Sequence, residues 1–373
     1  MRSNLLFPNS RQFDAPPRNG RVAIITRTKN RPLLLARAFA SMLEQQYANW
    51  HLYLVNDGGD PAAVDALVAQ YRTFFADRLT LIHHPESLGM EAASNAGLAA
   101  VRDCDYVVIH DDDDAWHPQF LLQTVRHLED PAHNRHVAVA ARCEVVHEEI
   151  QGQDVIEVRR EPWVSWKPTV DLLDQLQGNC FPPICLLIRH AAIDLTGPFN
   201  ADLPVLGDWD YNLRLLLVGD IGTINADLAY YHHRIDHQTG SIYGNSVHSG
   251  IDKHNTYQTL YRNSLLRMLL RKEPGFIGLS HLLLSRIAAL ENHVDHLEHE
   301  MLRGSIKEKL DWIHWDINQS LPWSNSSPEA NTALNRNLIF VINCMAKMLR
   351  PFNWVWHHLL PLRRMIARLR GRI

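Results

Sequence analysis

The apolar positions in the first third of the chain fall into short, nearly continuous blocks separated by amphipathic stretches. That rhythm predicts strands alternating with helices. Residues 21–26 (RVAIIT), 51–57 (HLYLVND), 78–84 (RLTLIHH) and 105–110 (DYVVIH) read as strands buried in a covered sheet. Between them RPLLLARAFASMLEQ, AAVDALVAQYRTFF and MEAASNAGLAAVR read as helices, and Trp116, His117 and Pro118 introduce a fourth, QFLLQTVRHLED. Pro32 suits a first helical turn, where its missing amide hydrogen has no partner to lose. Gly58, Gly59 and Pro61 end the second strand sharply. The alternation predicts a mostly parallel sheet with helices on both faces, whose ligands sit beyond the C-terminal strand ends. Asp57 and Asp111 both fall there.

From residue 136 the pattern changes. Residues 137–159 read as a hairpin turning near Gly152. Residues 163–200 hold Trp163, Trp166 and a proline-interrupted FPPICLLI, residues 208–219 form an amphipathic helix, and IGTINADLAYYHHR gives one or two strands. Helical signals dominate from about residue 255 through 317, broken by Pro274 and Gly275. There Leu290, Val294, Leu297 and Met301 recur at three- and four-residue steps as one apolar stripe. It packs on the core or, through 280–317, against a second subunit. Residues 321–335 read as a linker.

Composition narrows the partners. A net charge of -4 gives no global pull toward nucleic acid, although protonation of a few of the 22 histidines near pH 6 would reverse its sign. Base is concentrated in 336–373, where Arg350, Arg363, Arg364, Arg368, Arg370 and Arg372 meet no acidic residue and Trp354 and Trp356 add interfacial character. Such a segment lies in an anionic headgroup layer or packs as a terminal helix with a solvated basic face. Cys104, Cys143, Cys180, Cys185 and Cys344 have neither zinc-knuckle spacing nor an even count, which favours a reducing compartment. Residues 1–20 lack the apolar run of a secretory signal, and no stretch reaches the roughly 20 apolar residues that span a bilayer. The expected location is cytoplasmic, peripheral to a membrane.

The strongest chemical signal is HDDDDAW, residues 110–116. Four adjacent like charges repel, and a divalent cation at a strand end relieves the repulsion. Carboxylate oxygen is a natural ligand for Mg²⁺ or Mn²⁺. If the extended state continues, Asp111 and Asp113 point the same way. The bland alternative is a solvated acidic loop or a helix cap.

Taken together, these motifs resemble family 2 glycosyltransferases of the GT-A fold. VAIITRTKNRP (22–32) resembles the family's opening strand and turn, with Thr28, Asn30 and Arg31 matching. LVNDGGD (54–60) resembles the DDGS-type loop, LGMEAASNAGLAA (88–100) the helix that follows, and YVVIHDDDDAWHPQFL (106–121) the Asp-x-Asp segment. The sequence departs at Asn56, Gly59 and Arg27, the last usually proline. The resemblance covers most of 21–240. It implies that Thr28, Asn30 and Arg31 line the donor site and that Asp57 bonds the nucleotide base. Asp111 and Asp112 would lie by the ribose and diphosphate, with Asp113 as the principal metal carboxylate. It further implies a nucleotide-diphosphate sugar donor, Mn²⁺ or Mg²⁺, and a glycan or lipid-linked saccharide acceptor in bacterial envelope polysaccharide synthesis.

VLGDWDYNLRL resembles the segment carrying the family's catalytic carboxylate, and Asp208 is the matching position. It would take the acceptor's proton in a single, inverting displacement; otherwise it caps the helix, with Asp210 the fallback base. Arg214 pairs with a phosphate or carboxylate, or stays on the surface. Within YYHHRIDHQTGS, His237 is the preferred match to a family metal histidine, with His233 next. Trp163, Trp166 and Trp209 either stack on sugars or fill core space. The expected division is an N-terminal extension (1–20), a nucleotide-sugar-binding half (21–135), an acceptor-binding and catalytic half (136–255), a helical extension (256–320), a linker (321–335) and the basic segment (336–373). The rival readings are a sugar nucleotidyltransferase, against which stands the lack of a glycine-rich loop, and a glycan-binding scaffold derived from a transferase.

Overall fold

Four buried strands build one half of the sheet: β1 (Val22–Thr28), β2 (Trp50–Asp57), β3 (Leu79–His84) and β4 (Tyr106–Ile109). All are parallel, in the order β3-β2-β1-β4. Val22, Ala23, Ile24 and Ile25 of central β1 are wholly inaccessible, as a strand covered on both faces requires. The computed structural model of the chain describes residue 13 and residues 17–151, 154–163, 167–234 and 251–303.

Helices α1 (Pro32–Leu43), α2 (Pro61–Phe75) and α3 (Met90–Ala100) form the crossovers, and α4 (Phe120–Glu129) follows β4. A two-residue strand, β5 (Ala115–Trp116), precedes α4. The predicted proline start holds at Pro32; Pro61, read as a strand breaker, also occupies the first turn of α2, and Asp60 caps that helix by accepting from the Ala62 amide at 3.0 Å.

The second half is mixed. The expected hairpin is β6 (His136–Gln151) with β7 (Asp154–Pro162). Between residues 163 and 200 the structure adds α5 (Leu172–Gln177), β8 (Leu186–Arg189) and α6 (His190–Thr196). β8 wedges antiparallel between β4 and β6 and joins the halves. Its fully buried LLIR run is too short to separate from a buried helix by periodicity. Then come α7 (Gly207–Val218) and one long strand, β9 (Asp220–Arg234), parallel to β6.

Residues Met1–Thr259 form one unit and Leu260–Ile373 a second. Helix α8 (Ile251–Lys272) and helix α9 (Phe276–Arg303) break at Pro274 and Gly275, as the sequence predicts. On α9 Ile277, Leu282, Leu284 and Leu290 are all more than half exposed. No described helix is long and apolar enough to cross a membrane. The linker 321–335 and the basic segment 336–373 lie outside the described residues.

Candidate functional site

The strand order fixes where the acids meet. β1, β2 and β4 are parallel neighbours, so Thr28, Asp57 and the residues after Ile109 leave the sheet on one side. The extended state stops at Ile109, and the chain turns at Asp112 and Asp113. The alternation expected for Asp111 and Asp113 therefore fails, and each acid meets its own partner.

Asp111 is ion-paired to Arg27, which also donates to Ser94 Oγ at 3.1 Å. Asp112 is inaccessible: Thr28 Oγ1 donates to it at 2.7 Å and Arg31 Nη2 lies 2.6 Å away. Burial pushes its carboxyl up to about 6 against the pull of Arg31. Asp113 is gripped by Arg31 at 3.2 Å and by Arg234. Burial would raise its pKa, but Arg31 and Arg234 outweigh it and hold the group below the usual range. Asp114 is sealed inside, accepts the His232 amide at 2.9 Å, and is raised by burial and by Asp113 and Asp111.

Beneath Asp113 lies a buried charge network. Glu148 of β6 accepts from Arg37 at 2.6 Å and Arg234 at 2.5 Å, and His232 Nδ1 is 2.9 Å away. Arg37 also donates to the Asp113 carbonyl. Burial opposes ionisation of Glu148, yet His232 and Arg37 hold its pKa at about 2. Alternation along β9 points His232 and Arg234 together toward Glu148. His233, the second-choice metal histidine, packs on Tyr231, with ring centroids 4.5 Å apart. His237 lies outside the described residues.

Asp57 ends β2 as expected, but its oxygens are already engaged. His84 Nδ1 and the Leu88 amide lie 2.8 Å from Oδ1, and the Ser87 hydroxyl and Gly89 amide lie 2.7 and 3.0 Å from Oδ2. Burial favours its neutral form, but these hydrogen bonds prevail and lower its pKa. Asn30 sits at φ 57° and accepts the Asp60 amide at 2.8 Å. It joins the first two loops rather than the acid cluster.

Asp208 stands in the first turn of α7 and does not cap it; Leu206 holds that position with φ 69°. Its Oδ2 accepts from Asn179 Nδ2 at 2.6 Å, and burial raises its pKa against Arg27. Asp210, the fallback, is paired to Arg214 at 2.7 Å, which settles Arg214 as a carboxylate partner. Trp209 is 1% exposed and donates to the Gln175 carbonyl, and Trp163 donates to the Cys180 carbonyl at 2.6 Å, so both are held by the protein itself. Trp166 lies outside the described residues.

Sequence reasoning missed Arg37, Glu148, Arg234 and Glu91. Arg27 carried a signal, a lone charge in an apolar strand. Glu148 carried a faint one, two residues after buried Val146 and so on the same strand face. Among the described residues no group of three His, Cys, Asp or Glu side chains could hold a metal ion.

A mostly parallel sheet with helices on its faces and an arginine-bracketed acid cluster at its strand ends defines an α/β protein of the open-sheet kind, whose ligands sit at those ends. Residues 23–196 match glycosyl transferase family 2, and the chain carries a domain of that family. Over 151 residues it is 28% identical to EpsE of Bacillus subtilis (strain 168), covering 40% of this chain and 52% of that protein. Over 108 residues it is 32% identical to the succinoglycan biosynthesis protein ExoW of Rhizobium meliloti (strain 1021), covering 28% of this chain and 33% of ExoW. The chain thus spans about half of the first and a third of the second. The crystal structure of S. aureus TarS 1–349 in complex with UDP-GlcNAc aligns with TM-score 0.47 and 16% identity, over 61% of this chain and 63% of that one.

Proposed function

We propose that the chain is an inverting glycosyltransferase. It moves a sugar from a nucleotide-diphosphate donor to a hydroxyl of a glycan or lipid-linked saccharide during bacterial envelope polysaccharide synthesis. One observation carries this reading beyond family membership. Arg27 is paired to Asp111 on the donor side and also lies in the electrostatic field of Asp208. The crevice thus links a phosphate-attracting cation to a carboxylate with raised proton affinity, as general-base catalysis at neutral pH requires. Asp208 takes the acceptor hydroxyl's proton as its oxygen attacks the anomeric carbon. Arg27 and Arg31 attract the diphosphate.

The carboxylate of Asp113 suits hard Mg²⁺ or Mn²⁺, but Arg31 and Arg234 hold it. The described residues supply one ligand of a site that His237 would extend. When bound, the ion would neutralise charge on the departing diphosphate.

ExoW's name, succinoglycan biosynthesis protein, supports the envelope-glycan acceptor class. The exposed leucines of α9 support a homo-oligomer contact within 280–317. The charge of 336–373 supports a peripheral position on the cytoplasmic face of a membrane.

The test is a mass-spectrometric screen of UDP-, GDP- and dTDP-sugars, with CMP-sugars as the monophosphate control, in Mn²⁺, in Mg²⁺ and in EDTA. We expect turnover of one donor class, lost in Asp208→Asn. No turnover across the panel, with glycan binding retained, overturns the reading. Asp113→Asn should weaken metal-dependent donor binding; unchanged Mn²⁺ dependence rejects its role as ligand.

A further inference from the structure

Glu91, in the first turn of α3, has no part in the reading above, and it is placed as a functional carboxyl is. It is 6% exposed, and its Oε2 is buried with no hydrogen-bond partner among the described residues. A carboxylate oxygen in that state destabilises the fold unless something compensates. Its carboxyl lies against the backbone of Gly207, the first residue of α7. A Cβ built at Gly207 would overlap the Glu91 carboxyl carbon and one of its oxygens. The glycine therefore leaves room for an acid brought in from another element, one residue before Asp208. Gly207 is the first helical residue of α7 and is not among the positive-φ glycines, so its backbone is one that any residue adopts. Space, not φ, requires glycine there.

The charged groups facing Glu91 come from three elements: Arg27 on β1, Asp111 after β4, and Asp208 and Asp210 on α7. One guanidinium is thus shared among several carboxyls. Two acids so arranged share protons, and removing charge from one makes the other easier to ionise.

We propose that Glu91 is a positioning residue for the base: seated where Gly207 lacks a side chain, it forms with Asp208 a single two-carboxyl unit beside Arg27. This rests on Asp208 acting as the base. Burial and the neighbouring aspartates push Glu91 up to about 7, against the pull of Arg27, so the unit exchanges a proton with solvent near neutral pH. An ionised Glu91 keeps Asp208 basic enough to take a hydroxyl proton. A protonated Glu91 lets Asp208 stay ionised.

The experiment has two readouts on the full chain. Infrared difference spectra recorded from pH 4 to 9 follow the protonated-carboxyl band, and need no substrate. Glu91→Gln should remove one carboxyl that titrates near neutrality and move the remaining Asp208 titration to lower pH; Asp208→Asn should move the Glu91 titration down in the same way. The acidic limb of the pH–rate profile, on the donor the screen identifies, should shift to lower pH in Glu91→Gln by about one unit, with kcat reduced roughly tenfold and KM for the donor little changed. A purely structural Glu91 would lower the melting temperature and leave the Asp208 titration unmoved in Glu91→Gln and the Glu91 titration unmoved in Asp208→Asn, which overturns the proposal. Should Glu91→Gln not fold, the double variant Glu91→Ala with Gly207→Ala replaces the carboxyl by a methyl group in the same space and takes the same measurements. Transfer retained by Asp208→Asn sinks the base reading; transfer lost there, with unmoved titrations in Glu91→Gln, sinks only the role of Glu91.

Discussion

Asp111, Asp112 and Asp113 are each matched to an arginine near the strand ends, and the deepest match is Glu148. Its side chain is 2% exposed and meets Arg37, Arg234 and His232. Removing one member of such a set strands the others without counter-charge, at a cost of about 3–5 kcal/mol. Glu148→Gln keeps the shape and loses the charge, so we expect about 3 kcal/mol of destabilisation in urea unfolding. A midpoint within error of wild type would show that the network is not coupled to folding. The pH sign follows from the depressed pKa. With a folded value of about 2 against an ordinary 4.5, the contribution of Glu148 is fully present above pH 4.5 and is lost as pH falls toward 2. Little of this was legible beforehand. HDDDDAW announced acidity, and nothing in the spacing said that arginines from β1, α1 and β9 would answer it. Those partners are 76 to 121 residues away in sequence, a separation over which periodicity carries no information.

At the level of elements, the parallel half was legible because each buried strand is punctuated by glycine, proline or asparagine. The β8 insertion was not, because four apolar residues have no period. A second feature escaped as well: three stacked histidines where α4 hands over to β6. The rings of His127 and His133 lie 3.9 Å apart at 5°, and His136 stacks beyond with Nδ1 2.9 Å from Nε2 of His127. Gly222 of β9 makes the room, since a Cβ there would overlap the rings of His136 and His127. That hydrogen bond needs one proton between the two nitrogens, so the stack favours the neutral state. Burial, and then His133 and His136, lower His127 to about 4. The unfolded chain takes up protons near the ordinary 6.5 while the folded chain resists, so stability falls as pH drops from 6.5 toward 4. Comparing urea midpoints at pH 7 and pH 5 checks this. His127→Gln should flatten the difference; an equal drop in both proteins would assign the acid sensitivity elsewhere.

For the whole molecule the question is what the chain beyond the sheet is for. Residues 23–196 match the family and α7 carries Asp208, the carboxylate proposed as the base, so the proposed transfer draws on nothing after β9 except the histidine contact proposed above. The second unit has a different character: helices with exposed leucines, then a terminal stretch whose sequence holds the six named arginines and no acidic residue. A soluble acceptor would make no use of that charge. A lipid-linked one would, because an enzyme held at the membrane meets its acceptor in two dimensions. Each basic residue near an anionic surface contributes about 1 kcal/mol. Changing Arg363, Arg364, Arg368 and Arg370 to glutamine in the full chain should therefore weaken binding to vesicles containing phosphatidylglycerol by roughly a hundredfold or more. Wild-type binding should also fade as salt shortens the Debye length. Transfer to a water-soluble acceptor should be unaffected. Equal vesicle binding by the two proteins would return the segment to its plainer role, a terminal element packed against protein with its arginines in water.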